Sequence, residues 1–297
     1  MNIQVNILKF FQAMRNPILN ALFLVLTIST EVPVIIIFSA IMYWCINKKY
    51  GQKLLFSLVG NITVNTGIKE FVKAPRPIGT EGLESLRVST ATGYSFPSGH
   101  TQTATTFWMS LILIFRKKWI YILGTVMIIG VGISRLYLGV HWPIDVIFGW
   151  IFGILFTLIF TKIFDIVDKN KNYKLLLLTL IPFMIFIFIV KSESYIKRLG
   201  LLVGFILGYI IEDKYVKFNT IDEYKKEDNS DLKIEKKDYI IKSVYRFLLG
   251  IFTLLGLFLV LQYILPEYVL FKFIKYLVLV VYAVAGVPTL FKITKLA

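Results

Sequence analysis

Charged residues, cysteine and histidine are all scarce in this chain. Charged residues make up 17% of its 297 residues, whereas about a quarter is usual in a soluble domain. A single cysteine, Cys45, excludes an internal disulfide and a cysteine-based metal cluster. The chain has two histidines, His100 and His141. Any imidazole chemistry must therefore come from one or both of them.

Apolar runs take the place of the missing charges. Hydrophobic residues account for 57% of the chain, and several runs approach the roughly 20 residues that cross a bilayer core. The sequence therefore predicts an all-α, polytopic transmembrane helix bundle. The N-terminus has no basic region followed by a cleavage site, so we expect no removable signal peptide.

The basic residues indicate a membrane rather than nucleic acid. Lysine and arginine number 33 against 18 aspartates and glutamates, which gives a formal net charge of +15. They gather at the ends of apolar runs, where they would meet anionic head groups and set topology. We therefore expect integration into a membrane and no nucleic-acid partner.

The order of the apolar runs predicts three parts. Residues 1–16 should form an interfacial amphipathic helix ended by Pro17. Residues 17–168 should form a core of about six spans, and residues 169–297 an extension of about four spans. A solvated loop of mixed charge, 212–243, interrupts the extension.

An acidic residue and a proline interrupt the first long apolar run, residues 18–46. Glu31 and Pro33 lie near its middle. The run is long for one span and short for two. We therefore expect two short or kinked helices that meet near Glu31.

Short basic loops indicate the orientation. The segments "NKKYGQK", "RKK" and "TKIFDIVDKNKNYK" follow alternate spans, so all three should face the cytoplasm of a plasma membrane. The loop 73–99 and the turn 138–142 should then lie together on the extracytoplasmic side. The polar residues of the first half would thus meet at one membrane face.

The first polar segment on that face is "KEFVKAPRP". Lys69 is followed, six residues further on, by Arg76 and Pro77. Two helical turns and a proline-broken backbone allow both cations to point at the membrane surface. On its own, the pair also fits ordinary snorkelling at the end of a span.

The second segment, "PSGH", precedes a helix. Ser98 and Gly99 lie where a helix from about Thr101 exposes unpaired N–H groups and the positive end of its dipole, which suits an anion. An ordinary serine N-cap followed by a glycine turn is the alternative. That alternative does not explain His100, which should be partly buried at the membrane edge.

The third segment, "SRLYLGVHWPID", contains Arg135, His141 and Asp145. Asp145 lies four residues after His141 and can accept its Nδ1–H, which leaves Nε2 unprotonated. Alternatively, Asp145 only caps a helix and His141 is an interfacial residue. Because ionisable residues at membrane depth usually mark function, the cations of the three segments together predict a pocket for a dianion such as a phosphoryl group.

These segments resemble the signature of the type 2 phosphatidic acid phosphatase superfamily: Lys-x6-Arg-Pro, Pro-Ser-Gly-His and Ser-Arg-x5-His-x3-Asp. All three occur in order with the family's spacing, over roughly residues 50–160, which look like a bacterial membrane member. The resemblance implies hydrolysis of a lipid phosphate or diphosphate through a phosphohistidine, with no metal and no cofactor. Undecaprenyl diphosphate, phosphatidylglycerol phosphate and phosphatidic acid are the implied candidate substrates.

The resemblance also implies a role for each matching residue. His141 is the nucleophile, Asp145 is its orienting partner, and His100 is the general acid for the leaving group. The residues implied to hold the phosphoryl oxygens are Lys69, Arg76, Ser98, Gly99 and Arg135.

Other functions remain open at this stage. A lipid phosphotransferase would pass the phosphoryl group from His141 to an acceptor lipid instead of water. A transporter or binding protein for anionic lipids would use the pocket without hydrolysis. Soluble haloperoxidases of the same family have a similar site, but the apolar spans argue against that activity.

Glycine recurs at helical spacing in two segments. "GLLVGFILG" places Gly200, Gly204 and Gly208 on one helical face, and "GWIFG" contains Gly149 and Gly153. Such stripes permit close contact between helices. For the first stripe we expect packing within the chain, and a homo-oligomer contact is the alternative.

Overall fold

The computed structural model describes residues 2–220 and 236–296. The regular secondary structure within these two ranges is helical. The predicted all-α class is therefore confirmed. The helices are α1 Asn2–Ala13, α2 Pro17–Ile28, α3 Val32–Ile41, α4 Lys48–Val72, α5 Gly99–Phe115, α6 Lys118–Tyr137, α7 Pro143–Asn170, α8 Tyr173–Leu178, α9 Leu180–Val190, α10 Glu193–Ile211, α11 Lys236–Ile264, α12 Val269–Val281 and α13 Val287–Ile293. π-Helical turns follow α3, α10 and α12, at Met42–Ile46, Glu212–Val216 and Tyr282–Gly286.

Six helical stretches within the described ranges are long and apolar enough to cross a membrane, which makes this a multi-pass membrane protein. They are Lys118–Tyr137, Pro143–Asn170, Tyr173–Val190, Glu193–Val216, Asp238–Ile264 and Val269–Ile293. The pair α1 and α2, bent by 117° at its junction, adds a seventh if it forms one span. The predicted spans that correspond to α4 and α5 are not among these six. α5 has only 17 residues, and α4 contains the polar residues Asn61 and Asn65.

The first helix ends earlier than the sequence predicted. α1 ends at Ala13, and Pro17 is the first residue of α2 rather than the residue that ends α1. Asn16 caps α2, because its Oδ1 accepts a hydrogen bond from the Leu19 N–H at 2.9 Å. Proline suits the first helical position, where its missing N–H would have no partner. That α1 lies in the membrane interface stays a prediction.

The break between α2 and α3 lies near Glu31, as predicted. The hydroxyl groups of Ser29 and Thr30 donate to carbonyl oxygens three residues earlier, at 2.7 and 3.2 Å. Such local hydrogen bonds offer the backbone an alternative to a continuous helix. The break leaves Thr27 in the last turn of α2.

The predicted solvated loop 212–243 is wrong at both of its ends. Glu212 is fully buried and forms an ion pair with Lys48 at 3.1 Å. At the other end, α11 already begins at Lys236. Residues 221–235 of this prediction lie outside the described residues. Because Lys48 is 164 residues away from Glu212, no local pattern signals the partner that a buried carboxylate needs.

The chain divides into two compact units. The first comprises Met1–Ile35, Gly60–Lys162 and Phe188–Val190, and the second comprises Ile36–Val59, Ile163–Ile187 and Lys191–Ala297. The unit boundaries fall within helices α3, α4, α7 and α9. All eight residues that the sequence proposed for the site belong to the first unit.

The glycine stripe of α10 is covered by another helix of the same unit. A Cβ atom on Gly200 would lie 2.7 Å from the Phe273 carbonyl oxygen, and one on Gly204 would lie 2.6 Å from that of Leu277. One on Gly208 would meet a side chain of the following π-helical turn at 2.9 Å. The stripe therefore packs within the chain as expected, and the homo-oligomer contact is not supported.

Candidate active site

The long loop 73–98 is attached to the turn between α6 and α7. The Leu86 N–H donates to the Leu138 carbonyl at 2.8 Å, and the Ser85 hydroxyl donates to the Gly139 carbonyl at 2.7 Å. These hydrogen bonds bring the three polar segments of the sequence together. The loop and the turn 138–142 therefore lie together, as expected, and their extracytoplasmic location stays a prediction.

His141 lies in that turn and is contacted on both ring nitrogens. Its Nδ1 is 3.2 Å from Asp145 Oδ2, and its Nε2 is 3.0 Å from Arg76 Nη1. A guanidinium group can only donate, so Nε2 must carry the lone pair. The hydrogen therefore belongs on Nδ1, facing Asp145, which is the tautomer that the sequence predicted.

The imidazole of His141 is held in its neutral form. Burial lowers the pKa of His141 well below its ordinary value, and the positive charges of Lys69, Arg76 and Arg135 lower it further, with a smaller effect from His100. The ring is 1% exposed. A nucleophilic lone pair is therefore present at neutral pH.

One oxygen of Asp145 collects several donors. Oδ2 accepts a hydrogen bond from the Trp142 N–H at 2.8 Å and another from the Ser95 hydroxyl, in addition to facing His141. Ser95 is fully buried. The sequence analysis did not single it out, although it lies only three residues before Ser98. Ser95 restricts the rotation of the carboxylate that orients the imidazole.

Arg76 uses its donors to hold the loop. Its guanidinium donates to the carbonyl oxygens of Gly93 at 2.9 Å, Thr92 at 2.8 Å and Val140 at 2.9 Å. These bonds are in addition to its contact with His141. Arg76 therefore contributes positive charge to the site while most of its N–H groups are engaged by the backbone.

Lys69 acts in a similar way from the end of α4. Its ammonium group donates to the carbonyl oxygens of Tyr94 and, at 3.1 Å, Ser95. The sequence placed Lys69 and Arg76 directly on a phosphoryl group. In the structure both cations organise residues 92–95 and add charge to the pocket.

Arg135 has free donors. It is fully buried in the last turn of α6, and its Nη1 donates to Thr27 Oγ1 at 2.7 Å. Its Nε and Nη2 atoms find no hydrogen-bond partner among the residues that the structure describes. Leaving a buried charged donor unpaired is costly, so these two N–H groups mark the place where an anion would bind.

The start of α5 provides backbone donors. The Ser98 hydroxyl caps the helix and accepts a hydrogen bond from the Thr101 hydroxyl at 2.8 Å, so its side chain has the ordinary capping role that the sequence left open. The N–H groups of Gly99 and His100 belong to the first helical turn, where no intrahelical acceptor exists. Ser98 N–H donates to the Asp145 carbonyl at 2.9 Å, which joins α5 to α7.

Helix α7 packs closely against the first turns of α5. A Cβ atom on Gly149 would come 2.9 Å from the Thr101 Cβ, and one on Gly153 would come 2.6 Å from that of Thr105. The glycines of "GWIFG" therefore form the packing face that the sequence predicted, and they pack against Thr101 and Thr105 of α5.

A network of amide side chains lies beside the same helix start. Asn65 donates to Gln102 Oε1 at 2.7 Å, and Gln102 donates to Asn61 Oδ1. All three side chains are buried. None of the three sequence motifs includes Asn61 or Gln102. The signal in the sequence is the spacing of Asn61, Asn65 and Lys69 at four-residue intervals along α4.

His100 is the less constrained of the two histidines. Its ring is partly exposed, and no hydrogen bond to it is found within residues 2–220 and 236–296. Burial of the side chain and the positive charges of Arg135, Arg76 and Lys69 all act on it. An anion bound among these cations would supply the negative charge that a protonated imidazole needs.

Two models of known protein families match this chain. A family model described as the PAP2 superfamily matches residues 51–169, and one described as a PAP2 superfamily phosphatase transmembrane extension matches residues 196–297. The first match includes all eight predicted site residues. It does not include Thr27.

Individual relatives match part of the chain. An undecaprenyl-diphosphatase of Sulfolobus acidocaldarius is 38% identical over 104 residues, which cover 35% of this chain and 50% of the relative. Phosphatidylglycerophosphatase B of Bacillus subtilis is 30% identical over 126 residues, which cover 39% of this chain and 59% of the relative. The chain thus spans less than two thirds of the length of either.

A solved structure is also similar. The crystal structure of Aquifex aeolicus LpxE is matched with a TM-score of 0.48 at 24% identity. The match covers 54% of this chain and 95% of that one.

Proposed function

Because the chain belongs to the PAP2 superfamily, we propose that it is an integral membrane phosphatase that hydrolyses a lipid phosphate or diphosphate through a phosphohistidine, without a metal. The observation that carries this proposal is the pair of unpaired, buried N–H groups of Arg135 in the cationic pocket around His141. Phosphoryl transfer depends mainly on positioning and on stabilisation of charge. An anion receptor beside a neutral imidazole supplies both.

The first step forms the phosphohistidine. The lone pair of His141 Nε2 attacks phosphorus, and the bond between phosphorus and the leaving oxygen breaks. Asp145 holds the Nδ1 hydrogen throughout and stabilises the positive charge that develops on the ring. His100 transfers a proton to the leaving oxygen. Arg76 Nη1, which contacts Nε2 in the structure, moves to a phosphoryl oxygen as phosphorus approaches.

The second step releases phosphate. Water attacks phosphorus while His100 accepts a proton from that water, and the bond between phosphorus and Nε2 breaks. Arg135, Lys69 and the N–H groups at the start of α5 stabilise the phosphoryl oxygens in both steps. The division into two displacements replaces one difficult step with two easier ones.

A lipid substrate fits the position of the site. The site lies at the start of α5 and the end of α6, and both helices reach the basic segment Arg116–Lys118 at their other ends. That segment supports a cytoplasmic assignment for the far ends. The phosphatase would therefore face the extracytoplasmic side of the plasma membrane, where a lipid head group can enter while its tail stays in the bilayer.

The candidate substrates follow from the relatives. One is named an undecaprenyl-diphosphatase and another a phosphatidylglycerophosphatase. We propose undecaprenyl diphosphate, phosphatidylglycerol phosphate and phosphatidic acid as the lipids to compare. The extracytoplasmic site favours a carrier lipid that is released on that side.

The decisive experiment measures phosphate release by the purified full chain from each of these lipids, with His141→Ala as the inactive control. Glu81→Gln, an exposed change in the same loop, controls for handling and reconstitution. The expected result is release by the wild type and by Glu81→Gln, and none by His141→Ala. Acid-labile and base-stable labelling of His141 with radioactive phosphate would identify the intermediate.

Two outcomes would favour the other functions. Phosphate transfer only in the presence of an acceptor lipid would indicate a phosphotransferase. Binding of vanadate without any hydrolysis, together with lipid movement across vesicles, would indicate a transporter or a binding protein.

A further inference from the structure

Thr27, which lies outside the three motifs, accepts a hydrogen bond from the guanidinium of Arg135. Nη1 of Arg135 donates to Oγ1 of Thr27 at 2.7 Å, and both side chains are fully buried. Thr27 lies in the last turn of α2, before the start of the matched family region at residue 51. It is 108 residues from Arg135 in the chain.

The position of this hydrogen bond determines which donors of Arg135 remain free. Nε–H and one Nη2–H lie parallel on the same edge of the planar guanidinium group, and this edge forms the fork that binds two oxygens at once. Nη1 lies in the same plane and points away from this edge. Thr27 binds Nη1, and the edge formed by Nε and Nη2 has no hydrogen-bond partner among the residues of the two described ranges.

α2 is fastened to the part of α6 that carries Arg135. The Tyr137 hydroxyl donates to Asn20 Oδ1 at 2.6 Å, and Arg15 donates to the Tyr137 carbonyl at 2.9 Å. Beyond the end of α2, Arg87 of the long loop forms an ion pair with Glu31 at 2.6 Å. These contacts hold Thr27 in place from both ends of α2.

We propose that Thr27 is a positioning residue of the phosphatase, which sets the rotation of the Arg135 guanidinium so that its Nε and Nη2 edge receives two oxygens of the phosphoryl group. The proposal rests on the function proposed for the site. Without the Thr27 hydroxyl, Nη1 loses its acceptor and the guanidinium turns within its pocket. The fork is then lost although Arg135 and its charge remain.

Four variants of the full chain in detergent test this role. Thr27→Val keeps the shape and removes the acceptor, whereas Thr27→Ser keeps the hydroxyl. Thr161→Val is the matched control, because the Thr161 hydroxyl is also buried and donates to a carbonyl of its own helix at 2.7 Å. Arg135→Lys removes the fork and keeps the charge.

The readouts are kcat, KM and the affinity for inorganic phosphate and vanadate by titration calorimetry. Loss of a hydrogen bond to a charged group predicts a decrease in kcat/KM of about 10- to 100-fold for Thr27→Val. The affinity for vanadate, which can mimic the five-coordinate transition state, should fall more than the affinity for phosphate. Thr27→Ser should stay within about 3-fold of the wild type, and Thr161→Val should match it.

The double variant Thr27→Val/Arg135→Lys separates positioning from packing. If Thr27 acts through Arg135, the double variant should be no worse than Arg135→Lys within about 2-fold. Full additivity of the two losses would overturn the proposal. Equal losses for Thr27→Ser and Thr27→Val, or wild-type kinetics and vanadate affinity in Thr27→Val, would also overturn it. Absence of hydrolysis by the wild type would instead contradict the function proposed for the site.

Discussion

Two buried polar clusters of this chain differ in their charge balance. In the second unit, Lys48 donates to Glu212 at 3.1 Å and to the Phe218 carbonyl at 2.8 Å. Gln52 donates to the other oxygen of Glu212 at 2.9 Å, and the Phe218 N–H donates to the first oxygen at 3.1 Å. One cation faces one anion, and both carboxylate oxygens have partners.

The candidate active site of the first unit is not balanced in this way. Lys69, Arg76 and Arg135 all act on His141, whose Nδ1 faces the carboxylate of Asp145, and two N–H groups of Arg135 have no partner within the described part of the chain. Repulsion among the surplus positive charges lowers the free energy of unfolding of the ligand-free protein. A dianion bound in the pocket would offset this repulsion.

The comparison shows how two buried clusters of charged residues can have different roles. Buried charge with a complete set of partners joins helices, whereas buried charge with missing partners indicates a ligand. The difference lies in the unpaired donors rather than in the number of ionisable residues. The two clusters should therefore respond in opposite ways to the loss of a charge.

The largest effect is expected for the pair that orients the nucleophile. Asp145→Asn should decrease kcat by about 10²- to 10⁴-fold, because the amide no longer selects the tautomer with hydrogen on Nδ1. Phosphate release measures the change, with Glu81→Gln as the charge-matched control. Wild-type turnover in Asp145→Asn would remove Asp145 from the mechanism.

In the balanced cluster, loss of one charge should destabilise the fold. Lys48→Met leaves Glu212 buried without its cation and should lower the free energy of unfolding by about 3–5 kcal/mol. The double variant Lys48→Met/Glu212→Gln should recover most of this loss. Thermal unfolding in detergent checks both, and kcat per folded molecule should stay at the wild-type value. No change in Tm for Lys48→Met would contradict the structural role.

In the unbalanced cluster, the same kind of change should have the opposite sign. Arg135→Met removes one of three clustered cations and should leave the free energy of unfolding unchanged or raise it by about 1 kcal/mol, although activity is lost. Thermal unfolding without ligand measures this effect. Added vanadate should stabilise the wild type and not Arg135→Met. A destabilisation as large as that of Lys48→Met would indicate that Arg135 is structural.

The pH dependence of kcat/KM should reflect the surplus charge. Because the pKa of His141 is lowered by burial and by its cationic neighbours, its neutral form persists below the ordinary histidine pKa of about 6.5. The acid limb of the profile should therefore lie below about pH 6.5. The profile of kcat, which reports the enzyme–substrate complex, should have a basic limb where His100 loses its proton, and His100→Ala should remove that limb. A flat profile from about pH 5 to 9 would count against the pair.

The smallest effect is expected from metal removal. If Lys69, Arg76 and Arg135 stabilise the phosphoryl charge, dialysis against a chelator should leave kcat/KM unchanged. Inductively coupled plasma analysis of the dialysed protein verifies the removal. Loss of activity that is restored by one divalent cation would contradict the metal-independent mechanism.

Local signals in the sequence predicted much of this structure. Apolar runs of bilayer length specify helices whatever they pack against, and the break near Glu31 follows from residues that compete locally with helical hydrogen bonds. His141 and Asp145 lie four residues apart, so a single turn and the start of one helix bring them together.

The tertiary structure alone determined the partners of these residues. Ser95 meets Asp145 across 50 residues, and Thr27 meets Arg135 across 108. From the sequence we expected three cations to bind the phosphoryl group. In the structure, most donors of Arg76 bind backbone carbonyl oxygens instead, and the Nε and Nη2 edge of Arg135 has no partner among the described residues. Residue type and spacing determine which charges reach the site. Which of their donors stay free depends on how distant helices pack, because packing determines which buried donors meet an acceptor.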